Sequence, residues 1–316
     1  MIRKPFDTFS RYAWFVLLYT VFISTTGVLV RFSGSGAGCG NSWPLCYGQV
    51  VPPPTALETV IEFSHRIISG LGFVAVMALA WWAVKRYPRG HQVRTAALVA
   101  AVLMITETLA GASLVIFDWV VDDLSWGRVV VMAVHLTNTH LLVAAVAVTA
   151  WLASGGSFVC PREQGAWARW LVGGLGFIWL VSALGAIVAL NEVVHAWEAG
   201  GGLPAEFQAQ ARVVRAMLPV HITAAVAGLA YLTLAVRRLG LFWSPLRPLA
   251  HGVLMLYGLQ LLLGALNAWM GMPGWVQLLH LLVGYGIWVG WLFVALETLL
   301  TGPQPVPQPA PQAAAH

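Results

Sequence analysis

The sequence predicts an all-α membrane protein: eight transmembrane helices forming two tandem four-helix bundles related by a pseudo-two-fold axis. Three observations carry this. Of 316 residues, 59% are hydrophobic and 9% charged, whereas soluble chains average roughly 25% charged. The apolar residues fall in eight continuous runs, near 12–31, 61–84, 95–117, 129–153, 168–190, 214–236, 247–271 and 276–300. Polar landmarks also recur in the same order in both halves.

A helix needs roughly 20 apolar residues to cross a bilayer, and these runs lack the alternation of barrel strands. The first follows Arg3, Lys4 and Arg11. A signal peptide shares that basic start, but its apolar region is shorter and ends in a small-residue cleavage site, so the run reads as a retained helix. Of the 17 basic residues, twelve lie at helix ends on one side: Arg3, Lys4, Arg11, Lys85, Arg86, Arg89, Arg94, Arg162, Arg169, Arg237, Arg238 and Arg247. Arg31, Arg66, Arg128, Arg212 and Arg215 lie on the other, with Asp118, Asp122, Asp123, Glu192, Glu198 and Glu206. The positive-inside rule then predicts a multi-pass plasma-membrane protein with both termini cytoplasmic and loops 33–60 and 191–213 outside. The net charge of +5 does not point to nucleic acid, because the basic residues sit in short loops rather than on one folded face. The tail, 301–316, rich in Pro, Gln and Ala, is expected to be disordered.

The repeat rests on three pairs. Glu62-Phe-Ser-His65 is matched by Leu218-Pro-Val-His221, Glu107…Gly111-Ala by Gln260…Gly264-Ala, and His135-Leu by His280-Leu. Four helices per unit restore the topology, so 1–153 and 168–300 read as parallel repeats joined by the cytoplasmic connector 154–167.

Polar side chains inside spanning helices are costly and face the bundle interior. His65, His135, His221 and His280 all lie in even-numbered runs near the outer end, roughly 5–10 Å deep at about 1.5 Å per residue. Two per half, from two helices, suit axial imidazoles on opposite faces of a porphyrin. For any single His the competing reading is an interhelical hydrogen bond. Zinc is disfavoured, with no His-Glu-x-x-His and no intramembrane Cys. No Cys-x-x-Cys-His occurs for covalent heme attachment, which leaves b-type binding. His140 points about 140° away from His135 and reads as a polar packing contact or a ligand's partner. Glu107 reads as polar packing, with a proton-path role as the minority view. His91, His195, His251 and His316 are given no ligand role.

The first outer loop, from Arg31 to Gly48, is rich in turn residues. It holds Cys39 and Cys46, for which a short loop in an oxidising compartment favours a disulfide. Two free thiols or a redox-cycling pair are the alternatives. Cys160 reads as a plain cytoplasmic thiol.

Three features together resemble the heme A synthase family: the loop with Arg31, Ser35-Gly36, Cys39 and Trp43-Pro44-Leu45-Cys46-Tyr47-Gly48; Glu62-x-x-His65-Arg66; and the His-Leu elements at His135 and His280 with His221 between. The resemblance spans about 12–300. The chain departs from the family at Ala37-Gly38, at Gly40-Asn41-Ser42 and in its extra His140. The resemblance implies an oxidoreductase of heme biosynthesis and cytochrome oxidase biogenesis that oxidises the C8 methyl of heme O to a formyl group by successive hydroxylations. It implies heme O, becoming heme A, on His65 and His135 in the N-terminal half, and a retained heme b on His221 and His280 in the C-terminal half.

On that reading Glu62, one turn before His65, is catalytic: it takes a proton or stabilises a cation at the methyl carbon. The alternative is an acid paired with Arg66 or Arg31. Arg66 and the other outer arginines contact heme propionates or anchor to lipid headgroups. The expected partners are heme O, the farnesyltransferase that makes it, and an electron acceptor such as a quinone; homo-oligomerisation stays open. Two competing functions are a diheme b-type electron-transfer subunit and a heme transporter or chaperone.

Overall fold

The computed structural model describes residues 7–54 and 56–303. Arg3 and Lys4 of the basic N-terminus, and the tail from Gln304 onward, lie outside the described residues. Among the described residues the regular elements are all helical, and eight helices are long and apolar enough to cross a membrane. They are α1 (Thr8–Phe32), α2 (Leu57–Arg86), α3 (Gln92–Ile116), α4 (Trp126–Ala153), α5 (Ala168–Val188), α7 (Gln208–Arg238), α8 (Arg247–Trp269) and α9 (Gly274–Thr301), with a short α6 (Asn191–Ala199) between α5 and α7.

Polar caps mark where apolar runs begin. Asp7 caps α1, accepting the Ser10 N–H at 2.8 Å, and Ser125 caps α4, accepting the Arg128 N–H at 3.3 Å. The Ser10 N–H, helped by nearby Arg86, holds the Asp7 carboxyl below the usual carboxylate range. Apolar side chains such as Leu18, Leu71, Val74, Val102, Leu109 and Leu262 stay exposed on the helices, as a surface solvated by lipid requires.

α1 packs on α2 and α4, α2 on α3, and α3 on α4, closing a ring; α5, α7, α8 and α9 close a second ring in the same order. The rings meet where α1 touches α9, α4 touches α5, and α4 touches α9. The main core lies toward the predicted cytoplasmic side. It holds Phe9, Ala13 and Val16 of α1, Val76, Leu79 and Ala83 of α2, and the inner turns of α4 and α9. Two buried tryptophans lock it across helices. Trp291 Nε1 donates to the Leu171 carbonyl at 3.1 Å, and Trp151 Nε1 donates to Glu297 at 2.9 Å. Trp291 lies over Gly174, where a Cβ would fall 2.3 Å from the indole.

The second outer loop is more ordered than its sequence suggests. Predicted as a connection over 191–213, it contains α6, a turn of 3-10 helix at Ala205–Phe207 and the first turns of α7. A small outer core explains this: Leu124, Val129, Leu190, Val194, Ala211 and Val214 bury one another. A nine-residue amphipathic helix leaves no long apolar run to find. His195 lies on its exposed face, 3.8 Å from Glu198.

Candidate functional site

Close packing stops at the level of the histidines. In α2 no residue from 63 to 71 is fully buried, in α4 none from 130 to 138, in α7 none from 215 to 224, and in α9 none from 278 to 284. His65, His135, His221 and His280 each fall inside one of these stretches. α1, whose last fully buried residue is Thr20, opens at the same level. His65 of α2 and His135 of α4 belong to one closed ring of helices, and His221 of α7 and His280 of α9 to the other. Each expected pair therefore lies within one ring.

Depth is less uniform than predicted. His65 lies eight residues after the start of α2, His135 nine into α4, His221 thirteen into α7 and His280 six into α9. That is roughly 9–20 Å at about 1.5 Å per residue: His280 falls within the expected range of roughly 5–10 Å and the other three lie deeper along their helices. The helices begin before their apolar runs do. α7 in particular starts among Gln208, Gln210 and Arg212, held by the outer core.

Each of the four rings rests on a glycine of a neighbouring helix. A Cβ on Gly27 would lie 3.3 Å from His65 Cε1, on Gly111 3.6 Å from His135 Cε1, on Gly185 3.1 Å from His221 Cε1, and on Gly264 3.2 Å from His280 Cε1. Bare backbone at these points lets the imidazoles stand edge-on between helices.

Two of the four Nδ1 atoms are hydrogen-bonded to the adjoining helix, and a third lies near a carboxylate without an aligned hydrogen bond. His65 Nδ1 meets Thr26 Oγ1 at 2.7 Å, and that hydroxyl donates to the Ile23 carbonyl. His221 Nδ1 donates to the Val181 carbonyl at 3.1 Å. Ile23 and Val181 each stand four residues before the glycine under their histidine. His135 Nδ1 is 3.3 Å from Glu107 Oε1. An occupied Nδ1 fixes the tautomer that leaves Nε2 for a metal. Among the described residues no three His, Cys, Asp or Glu side chains converge as a protein-only metal site. Paired imidazoles, one in each half fixed by an Nδ1 hydrogen bond and all surrounded by loosely packed apolar helix, fit one bis-histidine heme per half.

Above the first pair, Cys39 and Cys46 form a disulfide, and both are fully buried. Cys160 is a free thiol. The disulfide loop is fastened to α2. Gly38 presses on the first turn of α2, where a Cβ would fall 2.4 Å from the Glu58 carbonyl. Next to it the Cys39 N–H donates to Glu62 Oε2 at 2.7 Å. Glu62 is 3% exposed, and its other oxygen accepts Arg66 Nε at 3.0 Å. Arg66 also donates to the carbonyls of Ser42 and Leu45. Glu62 thus has the Arg66 pairing expected as one alternative from the sequence, plus a loop contact that the sequence does not announce. Arg66 spends its donors on Glu62 and the loop.

Three of the other outer arginines, Arg31, Arg128 and Arg215, are engaged as well. Arg31 pairs with Glu192 of α6 and donates to Gln277 of α9. Arg128 donates to the carbonyls of Val121 and Asp123, each at 2.7 Å. Arg215 pairs with Glu198. His140 donates from Nδ1 to the Leu136 carbonyl at 2.9 Å and packs on α9, away from the His65–His135 pair. Sequence reasoning missed Thr26, Glu192, Gln277 and the glycines Gly27 and Gly185. The only hint was the recurrence of Gly111 and Gly264 in the repeat.

A family model described as COX15-CtaA, cytochrome oxidase assembly protein, matches residues 10–292. The chain belongs to the COX15-CtaA family. Relatives include a protein named protoheme IX farnesyltransferase from Thermus thermophilus. It is 42% identical over 312 residues, covering 96% of this chain and 50% of the relative. Two proteins named heme A synthase match over shorter stretches. That of Alkalihalophilus pseudofirmus is 38% identical over 127 residues, 40% of each chain. That of Halalkalibacterium halodurans is 42% identical over 97 residues, 31% of this chain and 33% of the relative. The chain spans about half the length, or less, of these curated relatives. COX15-CtaA membership and eight membrane-length helices point to a multi-pass membrane protein.

Proposed function

We propose that this chain is a heme A synthase, oxidising the C8 methyl of heme O to a formyl group by successive hydroxylations. The observation that carries this is the inequality of two otherwise similar sites. Each half has a histidine pair over glycines, but only the first has a carboxylate one turn before its leading histidine, with a disulfide loop fastened to it. Leu218 stands at the corresponding place before His221. The first site, with His65 and His135, would hold the substrate heme. The second, with His221 and His280, would hold a retained heme b, which supplies a one-electron couple when bound.

Glu62 lies three residues before His65, on the same helical face. With Arg66 and the Cys39 N–H on its oxygens it is suited to carry a fixed negative charge. In a low-dielectric site such a charge stabilises a cation developing at the methyl carbon. Arg66 fixes the carboxylate and the loop, which makes it a clamp first and a propionate contact second. The closed helix rings and their α1–α9, α4–α5 and α4–α9 contacts support the division into halves 1–153 and 168–300. The basic-residue asymmetry supports cytoplasmic termini in the plasma membrane. The heme O donor is the farnesyltransferase that makes it.

The Thermus name favours a second reading, transfer of a farnesyl group to protoheme, although it describes a protein twice as long. One experiment separates the two. The chain is expressed with a heme O supply, and the extracted hemes are resolved by chromatography. Heme A is the expected product. Heme O accumulating from heme B alone supports farnesyl transfer, and recovery of both hemes unchanged supports a carrier or an electron-transfer subunit.

A further inference from the structure

We propose that Glu107 is the positioning residue that tunes the first heme site. Its carboxylate lies beside Nδ1 of His135 and makes that imidazole a stronger iron donor than His280, for which the residue corresponding to Glu107 is neutral Gln260. This rests on the reading of His135 and His280 as iron ligands.

Glu107 and Gly111 lie one turn apart on α3, and both face His135. Gly111 supplies the bare backbone beside the ring, and Glu107 stands 3.3 Å from Nδ1. That nitrogen is buried and has no aligned partner of its own. The carboxylate is fixed by α4. Asn138 Nδ2 donates to Oε2 at 2.7 Å, and the Thr139 hydroxyl donates to Oε1. Asn138 is held in turn by Thr106 at 2.8 Å and by the Leu103 carbonyl at 2.9 Å. Every group facing Glu107 here is a donor or a histidine ring. Such a setting suits an acceptor-only, ionised carboxylate.

The second half keeps the frame and removes the charge. Gly264 underlies His280, and Gln260 stands one turn before it, as Glu107 does before Gly111. His280 Nδ1 and Gln260 Oε1 are both buried without a hydrogen-bond partner. A hydrogen bond to an ionised acceptor is roughly twice as strong as a neutral one. A carboxylate on the far nitrogen raises the basicity of a ligating imidazole. A more basic axial ligand favours the oxidised iron, lowering the site's potential. With hemes bound at both sites, this Glu-to-Gln difference between repeats would favour electron transfer from the first site to the second.

The test is a potentiometric titration of the purified, heme-loaded protein, with heme content measured in parallel. Glu107→Gln is expected to keep its heme, to shift one midpoint potential upward and to leave the other in place. Gln260→Glu is expected to shift the other midpoint downward. Unmoved midpoints in heme-replete Glu107→Gln overturn the proposal. If that variant fails to load heme, Gln260→Glu decides in its place, and an unmoved potential there overturns the proposal. His135→Ala tests the underlying ligand reading separately: loss of one heme supports it, and full heme retention refutes it whatever the potentials do.

Discussion

His140 on α4 packs its ring against Tyr285 on α9, with centroids 5.0 Å apart. The two residues stand five places after His135 and His280 respectively. Residues at equivalent places in two repeats meet each other only near an axis relating those repeats, so this contact supports the tandem reading at its centre. It also gives the extra histidine a job: His140 is 2% exposed and fills the seam between the rings. His140→Phe is therefore expected to keep full heme content and lose about 1–2 kcal/mol of stability. Heme absorbance and thermal unfolding in detergent check both parts, and loss of a heme would make His140 a ligand.

The glycines beneath the histidines predict a steric effect specific to each half. A Cβ on Gly185 would already be 3.1 Å from the His221 ring, so the branched side chain of Gly185→Val must displace that ring. The expected result is loss of the heme in the second half with the other retained. Gly70→Ala, where nothing lies within 4 Å of the added carbon, serves as the neutral control.

Fastening of the outer loop predicts a coupled loss. A Cβ on Gly38 would meet the Glu58 carbonyl at 2.4 Å, so Gly38→Ala must lift the loop, at a cost of about 1–3 kcal/mol. Replacing both Cys39 and Cys46 by Ser releases a closed loop of seven-residue separation, worth about 2.5 kcal/mol by chain entropy. Both variants should unfold at lower temperature than the parent. Glu62→Gln is expected to behave differently: it keeps bound heme and stalls conversion of heme O. Full heme A production by Glu62→Gln would remove Glu62 from the chemistry.

The helices and the four histidines are legible in the sequence because lipid imposes simple rules. Spanning runs must be apolar and long, so His65, His135, His221 and His280 stand out against them. The helix starts are harder to read. α7 extends outward to Gln208 because Ala211 and Val214 bury themselves against α5, α6 and the start of α4, a tertiary effect that no local run announces. For the same reason three of the four histidine depths come out too shallow from the apolar runs alone. The contacts of Glu62 are half visible, since Arg66 lies one turn away, but the Cys39 N–H comes from a loop 23 residues distant. Glu107 reads as packing from its own helix because its partners, His135, Asn138 and Thr139, belong to another.

The division of labour between the halves is tested most directly by comparing His65→Ala with His221→Ala, each expressed with a heme O supply, and identifying every heme that co-purifies. The account predicts that His65→Ala retains heme b and yields no heme A, whereas His221→Ala loses heme b. Undiminished heme A from the His65→Ala protein would contradict it.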